Sequence, residues 1–495
     1  MECLNFLYIE IFFNYLEELI VLIKMICTLI APITLLVIII LISSGKMNRL
    51  LISLAGALLV SFSLLYMDNV QSSTVIGFIL GYDYSNLQTI LFVLGMMIVI
   101  TICKKTGVFI YLAFRLVQLM KGNSRYILFA LCSFTFLISS LSSNILCIFL
   151  IIPLTITICR MLDVNPIPYI LSEGMVVNLG GLLFVISSIP NLLISHSITW
   201  TFPQYFLDVG FFSLILFVIT LTFLAVYNKN KLKKPKIERV KVLLGYDAWL
   251  FVENKKKFFI SLFMLLITII SVIILPLICN ISIDLIALSG GVILLILTMR
   301  KEFHDLWKEL DLELIFYLFC ILFISEAIEF SGVLNFVSGG LELVTAGNEL
   351  TLSLLLLWIS GILSSGIHNA PITKIFIPIV MNLSTPGNER VFFSAVSIGT
   401  VLGENLSVMG DNLVLILMVR DYGYDLKFST FMRLGIIITI TQLISSTIFL
   451  IMKILNYFII FGILILILIG ILVYYHPKIL KMLNKYFPKY FKKFK

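Results

Sequence analysis

Apolar runs of membrane-span length recur along nearly the whole chain, separated by short polar connections. A helix needs roughly 20 mostly apolar residues to cross the hydrocarbon core. That rule places spans at about 26–43, 50–66, 87–103, 209–227, 258–276 and 280–298, one starting at Leu312, and two more at about 434–452 and 455–474. Two other apolar segments are interrupted. Residues 126–160 carry Ser139, Ser140, Ser142, Ser143 and Asn144 ahead of Pro153, and residues 350–383 carry Ser364, Ser365, His368 and Asn369 ahead of Pro378. Two further broken segments run from Glu173 to about Ser197 and over 391–419. Residues 4–24 are apolar with acids interspersed and read as an interfacial or extra helix. The short alternating segments of a β-barrel are absent. The pattern predicts an all-α polytopic membrane protein with re-entrant or broken helices and about 11–13 membrane segments.

The interruptions come in pairs. Ser139, Ser140, Asn144 and Pro153 recur 225 positions on as Ser364, Ser365, Asn369 and Pro378, and Gly107 recurs as Gly332. Loop charge flips between the matching connections. The stretch 198–208 has no Lys or Arg, whereas 420–433 holds Arg420, Lys427 and Arg433. Basic residues favour the cytoplasmic side, so the two repeats run through the membrane in opposite directions. The chain then divides into an N-terminal segment 1–25, a first repeat 26–227, a basic cytoplasmic linker 228–257, a second repeat 258–452, and an extra span with a basic tail over 453–495. Lys453, at an end expected outside, is at odds with the rule. The tail, with Lys478 to Lys495 and no acid, is expected to be cytoplasmic.

Composition supports this class. Of 495 residues, 60% are hydrophobic and 13% charged, where soluble chains have about a quarter charged. The mean hydropathy is +1.11. The net charge of +8 is confined to loops and the tail, so it is no nucleic-acid footprint. The expected partners are a small substrate and the lipid bilayer of the plasma membrane, with a homodimer left open. The eight cysteines are scattered, with no metal or redox spacing. No P-loop, GxSxG, HExxH or dinucleotide fingerprint is present, so neither ATP-driven transport nor soluble enzyme catalysis is expected, and no organic cofactor or resident metal is implied.

The polar breaks carry the candidate chemistry. A broken helix in a membrane exposes N–H groups at one tip and carbonyls at another; the first suits an anion and the second Na⁺. The substrate-binding candidates are Ser143, Asn144, Asn178, Gly180, Gly181, His368, Asn369, Asn405 and Ser407, with Na⁺, if used, near Asn144 and Asn369. Asn178 and Asn405 lie 227 apart and read as repeat mates with a two-residue slip. Ionisable residues inside apolar segments are costly and point to function. Glu173, His368, Glu404 and Asp411 are the ion-coupling candidates. Lys374 is expected to snorkel or to pair with Glu404 or Asp411, and Glu326 and Glu329 read as solvated at a span end. A channel would show a continuous polar stripe, and a membrane-embedded enzyme a nucleophile or metal set; neither pattern is seen.

Leu94-Gly95-Met96-Met97-Ile98, Lys105-Thr106-Gly107, Lys121-Gly122-Asn123, Asn144 to Pro153, Asn178-Leu179-Gly180-Gly181 to Pro190-Asn191, and Asn405 to Gly410 together resemble the ion transporter superfamily. The likeness is to its arsenite permease and NhaD-like sodium–proton antiporter branch, with a citrate-transporter-like domain. The resemblance spans about residues 30–452 and implies a secondary transporter with inverted repeats and two re-entrant hairpins. Antiporter-like members often carry Asp before each break asparagine, where this chain has Ser143 and His368. Losing both carboxylates favours ion-coupled transport of a small anion or arsenite-like oxyacid over cation–proton exchange. A sodium–proton antiporter remains the alternative, with Glu404 and Asp411 as substitutes for the lost charges.

Overall fold

The computed structural model describes residues 29–455 apart from 39, 42–47, 67–69, 82–83, 199, 367–368 and 409. The expected helix at 4–24, the extra span at 455–474, the tail and His368 lie outside the described residues, Leu455 apart. Everything regular among the described residues is helical. The first repeat comprises α1 (Leu29–Ile38), α2 (Arg49–Tyr66), α3 (Ser72–Leu80), α4 (Ser85–Lys105), α5 (Val108–Leu119), α6 (Ser124–Ser139), α7 (Asn144–Leu162), α8 (Ile167–Gly180), α9 (Ile189–Ile198), α10 (Phe202–Tyr205) and α11 (Phe211–Tyr227). A linker helix, α12 (Ile237–Gly245), follows. The second repeat comprises α13 (Lys255–Cys279), α14 (Ile283–Thr298), α15 (Phe303–Glu309), α16 (Leu312–Phe330), α17 (Val333–Thr345), α18 (Glu349–Gly366), α19 (Asn369–Leu383), α20 (Glu389–Gly403), α21 (Asp411–Asp421) and α22 (Phe428–Ile454). Among the described residues seven helices are long and apolar enough to cross a membrane, or eight with α16 and α17 taken as one span bent by 69°. Shorter apolar helices, among them α1, α6 and α14, accompany them.

The repeat is built from matching local devices. Gly107 and Gly332 both sit at positive φ, +80° and +74°, at the corners between α4 and α5 and between α16 and α17. Only glycine adopts that conformation without strain. Each serine–asparagine break ends one helix and opens the next, α7 at Asn144 and α19 at Asn369, each with its proline inside. A proline there removes one internal hydrogen bond, which a buried helix tolerates.

The two repeats are inverted. Lys105 at the end of α4 pairs with Glu309, just ahead of α16, at 3.1 Å. Asn86 at the start of α4 donates to Glu326 near the end of α16 at 3.2 Å. The corresponding helices α4 and α16 therefore run antiparallel. Segments expected on the cytoplasmic side also find one another. Arg49 pairs with Asp311 and Glu313, and Arg160 donates to the Tyr422 carbonyl at 2.9 Å. The basic linker is docked: Gln118 donates to the Leu243 and Tyr246 carbonyls. Lys453 is no free positive charge. Its ammonium lies 2.8 Å from Asp208 and 2.9 Å from the Ser394 hydroxyl, so paired burial removes it from the loop-charge rule.

Two groups of helices pack side by side. One contains α2, α3, α4, α13, α14 and α16; the other contains α6 to α9, α11 and α18 to α22. They meet where α19 lies on α16 and α9 on α4. Close backbone approach tightens the second group. A Cβ on Gly180 would fall 2.5 Å from the Phe136 carbonyl, and one on Gly403 would fall 2.0 Å from the Gly361 carbonyl, again matching repeat positions.

Candidate functional site

The break before α7 turns through Ser139 to Ser143. Ser143 caps α7, its hydroxyl accepting from the Leu146 N–H at 3.5 Å. The Ser139 hydroxyl ties the break to the next helix through the Val177 carbonyl and also donates to Asn144 Oδ1 at 3.1 Å. Asn144 is the hub. Its Nδ2 donates to Asn178 Oδ1 at 2.6 Å and reaches Glu404 Oε2 at 3.5 Å. Asn178 passes the network on to Asn405 Oδ1 at 3.0 Å, and Asn405 donates to the Met175 carbonyl at 3.3 Å. All three asparagines are buried.

The second break is built the same way. Ser364 donates to the Thr400 carbonyl as Ser139 does to Val177. Asn412 donates to the Glu404 carbonyl at 2.8 Å, as Asn191 does to the Gly181 carbonyl at 2.8 Å. These paired bonds align Gly180 with Gly403 and Gly181 with Glu404. The sequence pairing of Asn178 with Asn405 is thereby corrected: they are bonded partners across the centre, and neither occupies the other's repeat position. Between the break and the carbonyl it bonds, the first-repeat segment is two residues longer, so the offset falls from 225 to 223 and does not rise to 227.

The alignment exposes an asymmetry. Glu404 turns its carboxylate to the start of α19, where Oε1 accepts the Asn369 N–H at 3.4 Å. At the start of α7 the matching residue is Gly181, with no side chain. Beside that start lies a small cavity lined by Ser142, Ser143, Ser187, Ser188 and apolar residues of α4. The Ser188 hydroxyl is buried with no partner among the described residues, and so is Asn369 Oδ1. Buried polar atoms are normally satisfied, and one that is not is costly. Asp411 opens α21 with Oδ1 buried and without a partner among the described residues. The Ser407 hydroxyl donates to the Ser365 carbonyl, fixing the loop below Glu404.

Other ionisable candidates stand apart. Glu173 lies on α8 a turn and a half before Asn178, buried between Thr155 at 2.8 Å and Thr135 at 3.4 Å, with Oε2 unpartnered among the described residues. Lys374 pairs with Glu326 at 2.8 Å, both side chains 8% exposed. This corrects two expectations: Lys374 does not pair with Glu404 or Asp411, and Glu326 is buried, while Glu329 is exposed. Glu326 was hidden from sequence reading because its partner is far along the chain. Asn86 and His196 went unnoticed for the same reason. Among the described residues no group of three metal-ligating side chains forms.

The sequence profile described as "Citrate transporter" matches residues 36–396 and 273–486. The chain belongs to the citrate transporter family. It is a multi-pass transmembrane transporter, as the resemblance to a citrate-transporter-like domain implied; the match does not single out the arsenite permease or NhaD-like branch. The citrate transporter family member is 25% identical over 424 residues to a 46 kDa membrane protein of Mycobacterium leprae, covering 83% of this chain and 95% of that protein. It is also 25% identical over 417 residues to an uncharacterized transporter of Mycobacterium tuberculosis, with the same coverages. The YdaH transporter of Alcanivorax borkumensis shares its fold, with a TM-score of 0.52 at 12% identity over 78% of this chain and 88% of that one.

Proposed function

We propose that the protein is a secondary active transporter of a small anion or oxyacid, a carboxylate foremost, coupled to a cation gradient, and that its two halves divide the work. The observation carrying this reading is the exchange of Glu404 for Gly181 at matching positions. A helix start favours negative charge. At α19 the protein supplies that charge itself through Glu404. At α7 the matching residue, Gly181, carries no carboxylate, and the cap of that helix, Ser143, lines a separate cavity with the hydroxyls of Ser142, Ser187 and Ser188, which suits an anionic group of the cargo. Glu404 and Asp411 lie near Asn144 without an ion pair among the described residues. Buried carboxylates need a counter-charge. Together with amide oxygens they suit Na⁺ or a proton as coupling ion. The family description, citrate transporter, agrees with a carboxylate cargo.

The same two carboxylates favour a sodium–proton antiporter as the second reading. Flux into proteoliposomes separates the two. Citrate, succinate, sulfate and arsenite are offered under imposed pH and Na⁺ gradients, with Asn144→Ala/Asn369→Ala as the site control. Gradient-driven anion accumulation that the double variant loses supports the proposal. Cation exchange with no anion movement favours the antiporter, and equal anion flux in both proteins refutes the site.

A further inference from the structure

The basic linker between α11 and α13 is fastened to the protein by one face. The Ser124 hydroxyl donates to the Lys233 carbonyl at 2.6 Å, and Gln118 of α5 holds the Leu243 and Tyr246 carbonyls. Leu243 and Ala248 are buried, and Trp249 packs on Tyr111 and Phe258. Lys236 pairs at 3.6 Å with Asp163, which ends α7. The other face of the linker is both apolar and basic. Ile237 is 76% and Leu250 70% exposed, and Leu244 is exposed too. Ile237, Lys241 and Leu244 are four and three positions apart, so they form one stripe along α12. Glu238, the one acid of α12, stands about 100° round the helix from Ile237. Residues 228–257 carry ten basic and three acidic side chains, a net +7 of the chain's +8. Lys236 and Lys257 have acidic partners; Lys233, Lys234, Arg239, Lys241 and Lys256 are exposed with none among the described residues. The apolar helix α11 ends at Tyr227 and the exposed apolar face of α13 begins at Phe259, so the linker lies at the membrane boundary.

Water does not favour exposed Ile and Leu, and acyl chains do not favour unpaired lysines. The two together fit the boundary between anionic headgroups and acyl chains. We infer that the linker is a binding site for anionic phospholipid of the cytoplasmic leaflet. Ile237, Leu244 and Leu250 enter the top of the acyl layer, and Lys233, Lys234 and Lys241 hold the lipid phosphate. A soluble polyanion would match the lysines but leave the apolar stripe in water. Because the backbone is already fastened at Lys233, Leu243 and Tyr246, the lipid meets an ordered site and little ordering cost remains. The linker helix α12 also rests on α7, whose other end is the break at Asn144. A lipid held here therefore fixes the depth of that helix, and of the candidate site it opens, in the bilayer. The assignment does not depend on the identity of the cargo.

Trp249 stands beside Leu250 and reports on the site. The purified full-length protein is placed in nanodiscs of phosphatidylcholine with increasing phosphatidylglycerol. Tryptophan fluorescence is read with bromine on the acyl chains of one lipid or the other. Brominated phosphatidylglycerol is expected to quench more than brominated phosphatidylcholine at the same mole fraction. That excess is expected to vanish in Trp249→Phe, which removes the reporter. In Lys233→Gln/Lys234→Gln/Lys241→Gln the phosphatidylglycerol fraction giving half the excess is expected to rise at least about 10-fold. Equal quenching by the two lipids, an excess that survives Trp249→Phe, or one undiminished in the triple lysine variant overturns the inference. So does loss of the excess on adding inorganic phosphate at the concentration of the lipid, which would mark a soluble-anion site. Should the triple variant fail to fold, an excess that persists in wild type at about 1 M salt, where exposed charges are screened within about 3 Å, overturns it instead.

Discussion

Gly181→Glu gives the first half the carboxylate that the second half already has. The backbone accepts it: Gly181 has φ −59° and ψ −15°, and Glu404, at the matching position, has φ −56° and ψ −30°. A Cβ on Gly181 would lie 3.1 Å from the Asn178 carbonyl, 3.6 Å from Val401 and 3.7 Å from Asn144 Oδ1, a tight but passable fit. By symmetry with Glu404 the new carboxylate reaches the first N–H groups of α7. A charge-assisted hydrogen bond contributes about 1.5–3 kcal/mol, the helix start adds up to about 1 kcal/mol, and ordering the side chain costs about 1.5 kcal/mol. The net of about 1.4 kcal/mol leaves the cargo only the minor fraction of molecules with the place free, and apparent affinity falls about 10-fold. Gly181→Ala adds the same Cβ without the charge and is expected to stay near wild type. Anion binding by titration calorimetry, run on all three proteins in detergent, reads the difference. Wild-type affinity in Gly181→Glu, or an equal loss in Gly181→Ala, refutes the reasoning.

Two stability predictions concern packing and charge away from the cargo. Gly403→Ala forces a methyl into the Gly361 backbone, which has no side chain to move aside, and is expected to destabilise by about 1–3 kcal/mol or more; an unchanged melting temperature in detergent would count against the close approach. Lys453→Met removes the cation from the half-buried Asp208 carboxylate, which keeps its bond from Trp200, and is expected to cost up to about 3 kcal/mol. Lys453→Met/Asp208→Asn should recover most of that loss in the same melting assay, and no recovery would show that packing rather than charge holds α22 there.

How much of this was legible in the sequence follows from the range of each interaction. The two breaks and Gly107 with Gly332 are local events, written in residues that stop or turn a helix, and each was readable where it stood. Inversion was readable too, because loop charge is also local. Lys453 opposed it only until Asp208, 245 positions away, was found beside it. Long-range pairing is where reading stopped. Lys374 had several acids to choose from, and only the packing of α19 on α16 selects Glu326. Asn178 and Asn405 look alike in sequence because both are central amides, yet equivalence is set by which carbonyls Asn191 and Asn412 cap. The role of Gly181 was hidden for a related reason: its meaning lies in the residue that faces it across the pseudo-symmetry.

The serine stitches bear on how fast the protein can turn over. Ser139 and Ser364 each fasten a break to the carbonyl of the adjoining helix. A tip held at both ends has no independent flicker to open a path, so loop motion on the nanosecond scale contributes little. Passage then waits on the displacement of whole helix groups, a microsecond-to-millisecond or slower process. Its speed is set by the slip plane between α16 and α19, so lipid viscosity and temperature should govern the rate more than the chemistry of the cargo.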